Sequence, residues 1–106
     1  MPDLVKSVPI VLDKPRLIRL DFNALMLFQD TTGVNPLTIG KSLTPRNIAT
    51  LLWASLRDED PELTLKEVGR MIGMSNALMV ENKLVEAFTA GMPERGPEDN
   101  TSSPQM

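Results

Sequence analysis

Prolines and glycines set the limits on what this chain can fold into: nine of one and six of the other divide 106 residues into segments that each hold one short element. Residues 7–20 read as two extended segments, Val8-Pro9-Ile10-Val11-Leu12 and Arg16-Leu17-Ile18-Arg19-Leu20, on either side of Asp13-Lys14-Pro15. That pattern predicts an N-terminal β-hairpin. On a period of two, Val8, Ile10 and Leu12 share one face, and Ile18 and Leu20 share another. Arg16 has no visible partner and is expected near solvent. Pro9 cannot donate to a ladder, which places its strand at an edge.

Helical signals take over at Asp21, whose side chain can cap a helix from Phe22 to Thr32. Phe22, Leu25, Met26 and Gln29 fall at helical spacing, and Gly33 provides a left-handed stop. The stretch Val34–Lys41 holds Pro36 and Gly40 too close together for a long helix, so it reads as a loop or one turn with its apolar members tucked under. Thr44-Pro45 opens the next helix, with proline at the first helical position, where its missing N–H costs nothing. Ile48, Leu51, Leu52, Ser55 and Leu56 trace one face, with Trp53 on its flank and expected to be buried. Asp58-Glu59-Asp60-Pro61 ends it. Thr64 and Glu67 form a capping box and Leu63 with Val68 a hydrophobic staple, so a short helix starts at Leu65 and stops by Gly73.

Ser75 or Asn76 is expected to cap a last helix reaching about Ala90. Its periodicity puts Leu78, Val85 and Phe88 on the buried side, Leu84 at the border, and Glu81, Asn82, Lys83 and Glu86 in water. Gly91 and Pro93 close it. From there to the terminal Met106 no apolar residue occurs, which predicts a disordered tail over 93–106. The expected architecture is mainly α: a single small domain over 1–92, built of a hairpin (7–20) and four or so short helices.

Composition narrows the chemistry. A chain of this length buries one core, and its 42% apolar share rests on Leu and Met, with no Tyr. Cysteine and histidine are both absent, which excludes disulfides, thiolate or imidazole metal sites and His-based catalysis. Asp58, Glu59, Asp60 and Glu62 lack the glycine and the bidentate acid of a calcium loop, and read as a solvated loop. Ser42, Ser55 and Ser75 have no base beside them, and the glycines form no phosphate-cradling motif. No catalytic residue, cofactor or metal is expected. The net charge of −3 gives no long-range attraction to nucleic acid or anionic lipid. No leader-like or membrane-spanning run occurs, so an intracellular location is expected.

Residues 65–88 have the outline of a DNA-binding helix-turn-helix, with Gly73-Met74-Ser75 as the turn. The exposed face of its second helix would offer Asn76, Asn82 and Lys83 against Glu81 and Glu86. Asn82 stands where such motifs carry an aliphatic residue and Gly69 where they carry alanine.

A longer match runs through the chain in order. It comprises Val-Pro-Ile-Val-Leu-Asp-Lys-Pro-Arg (residues 8–16), Asp21-Phe22-Asn23-Ala24-Leu25 with Phe28, and Leu43-Thr44-Pro45-Arg46-Asn47-Ile48 leading into Leu51-Leu52-Trp53-Ala54-Ser55-Leu56. It continues through Glu59-Asp60-Pro61-Glu62-Leu63-Thr64-Leu65 to Ile72. Over residues 7–90 this order resembles the tail assembly chaperones of long-tailed bacteriophages and of prophage and gene-transfer-agent relatives. It departs from them between Val34 and Lys41. The resemblance implies a non-catalytic protein in the bacterial host cytoplasm that keeps the tape measure protein soluble while tail-tube subunits polymerise around it. Several copies would coat one client, with the tube protein as a second partner and self-association left open, and the chaperone would be absent from the finished virion. The alternatives are a small helix-turn-helix regulator and a structural adaptor of a phage tail.

Independently of the resemblance, methionine suits a surface that accepts varied helical clients. The first and last helices carry more apolar residues than one buried stripe needs. Met26, Leu27, Phe28, Met79 and Val80 are therefore the candidate partner-binding residues.

Overall fold

The computed structural model describes residues 7–38 and 43–90. They form two strands, β1 (Val8–Val11) and β2 (Pro15–Ile18), and four helices, α1 (Phe22–Thr32), α2 (Pro45–Leu56), α3 (Leu65–Met71) and α4 (Ala77–Ala90), with one 3-10 turn at Pro36–Thr38. The protein is mainly helical with an N-terminal antiparallel hairpin, as the sequence predicts. The tail over 93–106 lies outside the described residues.

The local signals behave as their chemistry requires. Asp21 accepts from the Ala24 amide, and Gly33 ends α1 with φ of 76°, donating to the Gln29 carbonyl. Thr44 caps α2 with Pro45 in its first turn. Thr64 and Glu67 complete their reciprocal box. Helix α3 starts at Leu65 and stops before Gly73 as expected, closing on an extended Ile72. The start of α4 differs from expectation. The Asn76 amide turns back, accepting from the Gly73 N–H and donating to the Met71 carbonyl, so it secures the α3–α4 turn.

Helix α2 is the hub: α1, α3 and α4 each pack on it, β2 lies against it, and β1 lies against α4. The core gathers Val8, Ile10, Ile18 and Leu20 from the hairpin, Leu25 and Phe28 from α1, Leu51, Leu52 and Leu56 from α2, Leu63 and Val68 around α3, and Val80, Leu84 and Ala87 from α4. Expectation and structure part company on α4. Leu78 and Val85 are exposed, and Leu84 is fully buried. The helix has apolar residues at two heptad-spaced stripes, and contact with α2 and β1 selects the stripe of Val80, Leu84 and Ala87. Trp53 is only half-buried: its indole N–H donates to the Leu63 carbonyl at 2.8 Å and the Arg57 guanidinium lies 5.2 Å from the ring centre. In the 34–41 stretch Pro36 is buried, whereas Leu37 is exposed.

The hairpin reverses an ordinary pattern. Its register pairs Val8 with Ile18, Pro9 with Leu17, Ile10 with Arg16 and Val11 with Pro15. Arg16 points inward and is 7% exposed, contrary to the expectation of a solvent position. Its guanidinium meets both carboxylate oxygens of Asp13, at 2.8 and 2.9 Å, and Asp60 at 3.5 Å. The sequence hides this arrangement because Asp60 is 44 residues away.

Candidate functional site

The residues facing outward from the hairpin are Pro9, Val11, Pro15 and Leu17, all apolar. Val11 is 67% exposed and Leu17 40%. Both cross-strand pairs on this face, Pro9–Leu17 and Val11–Pro15, are of the non-hydrogen-bonded kind, because the Leu17 N–H points away from β1 and donates to Glu59 Oε1 at 3.2 Å. Side chains sit closest together in such pairs, so the four form a continuous patch. The prolines occupy the positions whose N–H groups the ladder does not use.

The acidic turn after α2 fixes this face in place. Glu59 takes the Leu17 N–H, Asp60 reaches Arg16, and the Ser55 carbonyl takes the Arg19 N–H. The expectation of a merely solvated loop between helices is corrected on this point: two of its carboxylates face the hairpin. The bidentate hydrogen bonds from Arg16 pull the Asp13 carboxyl down to about 2, and Asp13 in turn raises Arg16. Among the described residues no cluster of three or more acidic side chains could hold a metal ion.

The candidate binding residues divide. Met26 is exposed at 51%, while Leu27 and Met79 are half-buried and packed on the core. Phe28 and Val80 are fully buried, and their nomination as surface residues is corrected. Phe28 lies on the α1 stripe with Ala24 and Leu25, and Val80 on the α4 stripe that meets α2 and β1. Among the described residues the large apolar side chains that do reach solvent are Phe22 beside Met26, Leu37 after α1, Leu78 and Val85 on α4, Met74 in the turn before it, and Val11 and Leu17 on the hairpin. Val8-Pro9-Ile10-Val11 are all apolar and Leu17 adjoins Ile18, so no apolar–polar alternation in the sequence marked the outward face.

A shallow depression of about 230 Å³ lies between the start of α1 and the end of α2, lined by Arg19, Asp21, Asn23, Leu27, Arg57 and Asp58 among others. Arg19 is paired with Asp21 at 3.2 Å and Arg57 stacks on Trp53, so its two cations are engaged by their neighbours. The turn and helices of the helix-turn-helix outline are present, but α3 and α4 each pack on α2 and scarcely on one another. A Cβ placed on Gly69 would meet nothing within 4 Å, so this position makes no tight interhelical contact. No described helix is long and apolar enough to cross a membrane. No protein-family model, curated protein or solved structure matches this chain.

Proposed function

We propose that this protein is a non-catalytic assembly chaperone of the phage-tail kind, which binds the tape measure protein of its own genome and holds it soluble until tail-tube subunits enclose it. The observation that carries the reading is the number of large apolar side chains left in solvent on separate elements, including Phe22, Met26, Leu78 and Val85, on a domain that already has a filled core. Scattered exposed apolar residues are ordinary, but Phe22 and Met26 stand one turn apart on α1, and neighbouring ones mark contact surfaces. A long helical client exposes apolar stripes until its tube forms, and such surfaces can cover them without demanding one register.

The sequence blocks that resemble tail assembly chaperones also meet in space. Trp53 of the Leu-Trp-Ala block donates to Leu63 of the Asp-Pro-Glu-Leu-Thr block, and Arg16 of the first block reaches Asp60. This supports their being one coupled scaffold rather than unrelated matches. The helix-turn-helix reading fares worse: Lys83 lies 3.7 Å from Glu86 on the would-be recognition helix, and the net charge is negative. The protein acts in the host cytoplasm on this reading, and leaves before the virion is complete.

Co-expression with the tape measure protein tests it. The expected result is a higher soluble yield of that partner and co-purification of the two, with no duplex DNA shifted at low salt. A partner that stays insoluble with or without this chain, together with sequence-specific duplex binding, would replace the chaperone with a regulator. Recovery of the chain in purified virions would replace it with a structural adaptor.

A further inference from the structure

We infer that the outward face of the β-hairpin, formed by Pro9, Val11, Pro15 and Leu17, is the docking surface for an amphipathic helix whose apolar stripe is flanked by lysine or arginine. The inference rests on the chaperone reading and names the face and the partner chemistry within it.

The face is a built one. Its two close cross-strand pairs are locked from behind by the Arg16 clasp and at the side by the Glu59 bond to the Leu17 amide. It therefore presents apolar area that needs little ordering on contact, which is where binding free energy is otherwise lost. An apolar face of this width, two strands across, fits the stripe of one helix.

Charge decides between occupants. The hairpin tip and the turn that clasps it carry five carboxylates, Asp13, Asp58, Glu59, Asp60 and Glu62, against Lys14, Arg16 and Arg57. Five carboxylates against three cations leave this end of the molecule a net charge of −2, and Arg16 is taken up between Asp13 and Asp60 on the inner side of the hairpin. Glu59 stands at the margin of the apolar patch itself. A second copy of this chain seated face to face would bring these acidic margins against each other. A helix with cations beside its apolar stripe brings opposite charges together as its leucines reach Val11 and Leu17.

The test uses the full chain and two labelled synthetic helices of roughly twenty residues, with one leucine stripe in common, flanked by lysine in one and by glutamate in the other. Fluorescence anisotropy reads binding. The lysine-flanked helix is expected to bind about tenfold or more tightly than its counterpart. Val11→Glu is expected to weaken it by about tenfold with unchanged far-ultraviolet circular dichroism. Glu59→Gln keeps an acceptor for the Leu17 amide but removes the charge, and is expected to weaken the lysine-flanked helix a few-fold while leaving the other unaffected. Equal affinity for both helices, or full affinity in Val11→Glu, overturns the inference. So does a wild-type dimer in sedimentation equilibrium that Val11→Glu dissociates, which would assign the face to a second copy.

The chaperone reading fails separately. If wild type and Val11→Glu solubilise the tape measure protein equally, the surface is wrong and the chaperone stands. If the helices discriminate as expected but the tape measure protein stays insoluble, the surface stands and the client is another basic amphipathic helix.

Discussion

The hairpin and α4 both attach to the same central helix system, by opposite means. The hairpin is held by polar bonds as well as apolar ones: Arg16 to Asp13 and Asp60, the Leu17 amide to Glu59, the Arg19 amide to the Ser55 carbonyl. Helix α4, among the described residues, is held by apolar contacts, with Val80, Leu84 and Ala87 buried and Met79 and Phe88 packed beside them, its one ion pair joining Lys83 to Glu86 within the helix. Burial of apolar area is indifferent to direction, so the rotation of α4 is set by how its side chains pack against α2 and β1. Hydrogen bonds are directional, and they allow the hairpin a single seat. The element with the bare apolar outer face is thus the one fixed by geometry, and its outward residues stay outward.

If that contrast is right, α4 responds most strongly to loss of volume. Leu84→Ala is expected to destabilise the fold by about 3 kcal/mol, within the 2–5 found for buried leucine, measured by urea unfolding followed by circular dichroism. A cost below about 1 kcal/mol would mean that α4 is not packed as described.

The hairpin should respond to loss of hydrogen-bonding shape. Arg16→Ala is expected to cost about 2 kcal/mol, less than a fully enclosed pair because Asp13 and Asp60 still reach water. Arg16→Met, which restores most of the stem, should recover part of this. Equal costs would assign the whole effect to charge rather than to packing.

The smallest expected effect is a dependence on pH. Asp13 titrates lower in the folded chain than the ordinary carboxylate near 3.8, at about 2. Its contribution is therefore present above pH 4 and lost as pH falls through about 2. The stability gap between wild type and Asp13→Asn, at most about 1 kcal/mol for so exposed a carboxylate, should narrow over that window and stay flat above it.

Much of the fold was legible from local chemistry. The stripe of Leu51, Leu52, Ser55 and Leu56, the caps at Asp21, Thr44 and Thr64, and the glycine stop at Gly33 depend on residues a few positions apart. What was not legible depended on distant partners. Arg16 looked like a surface residue because Asp60 could not be seen beside it. Helix α4 looked buried through Leu78 and Val85 because nothing within the helix distinguishes that stripe from Val80, Leu84 and Ala87. The candidate surface suffered the same way: Met26 is exposed, but Phe28 and Val80 were needed inside.

The two hairpin prolines bear on a hazard that any cellular protein with a bare apolar sheet face runs, that of seeding fibres. Strand edges recruit other chains through their free N–H groups. Along the outer edge of β2 no donor is idle: Pro15 has none, Leu17 gives its hydrogen to Glu59, and Arg19 gives its own to Ser55. On the outer edge of β1, Pro9 interrupts the row. Such a hairpin can offer side chains to a partner while giving a growing cross-β stack few free donors to copy.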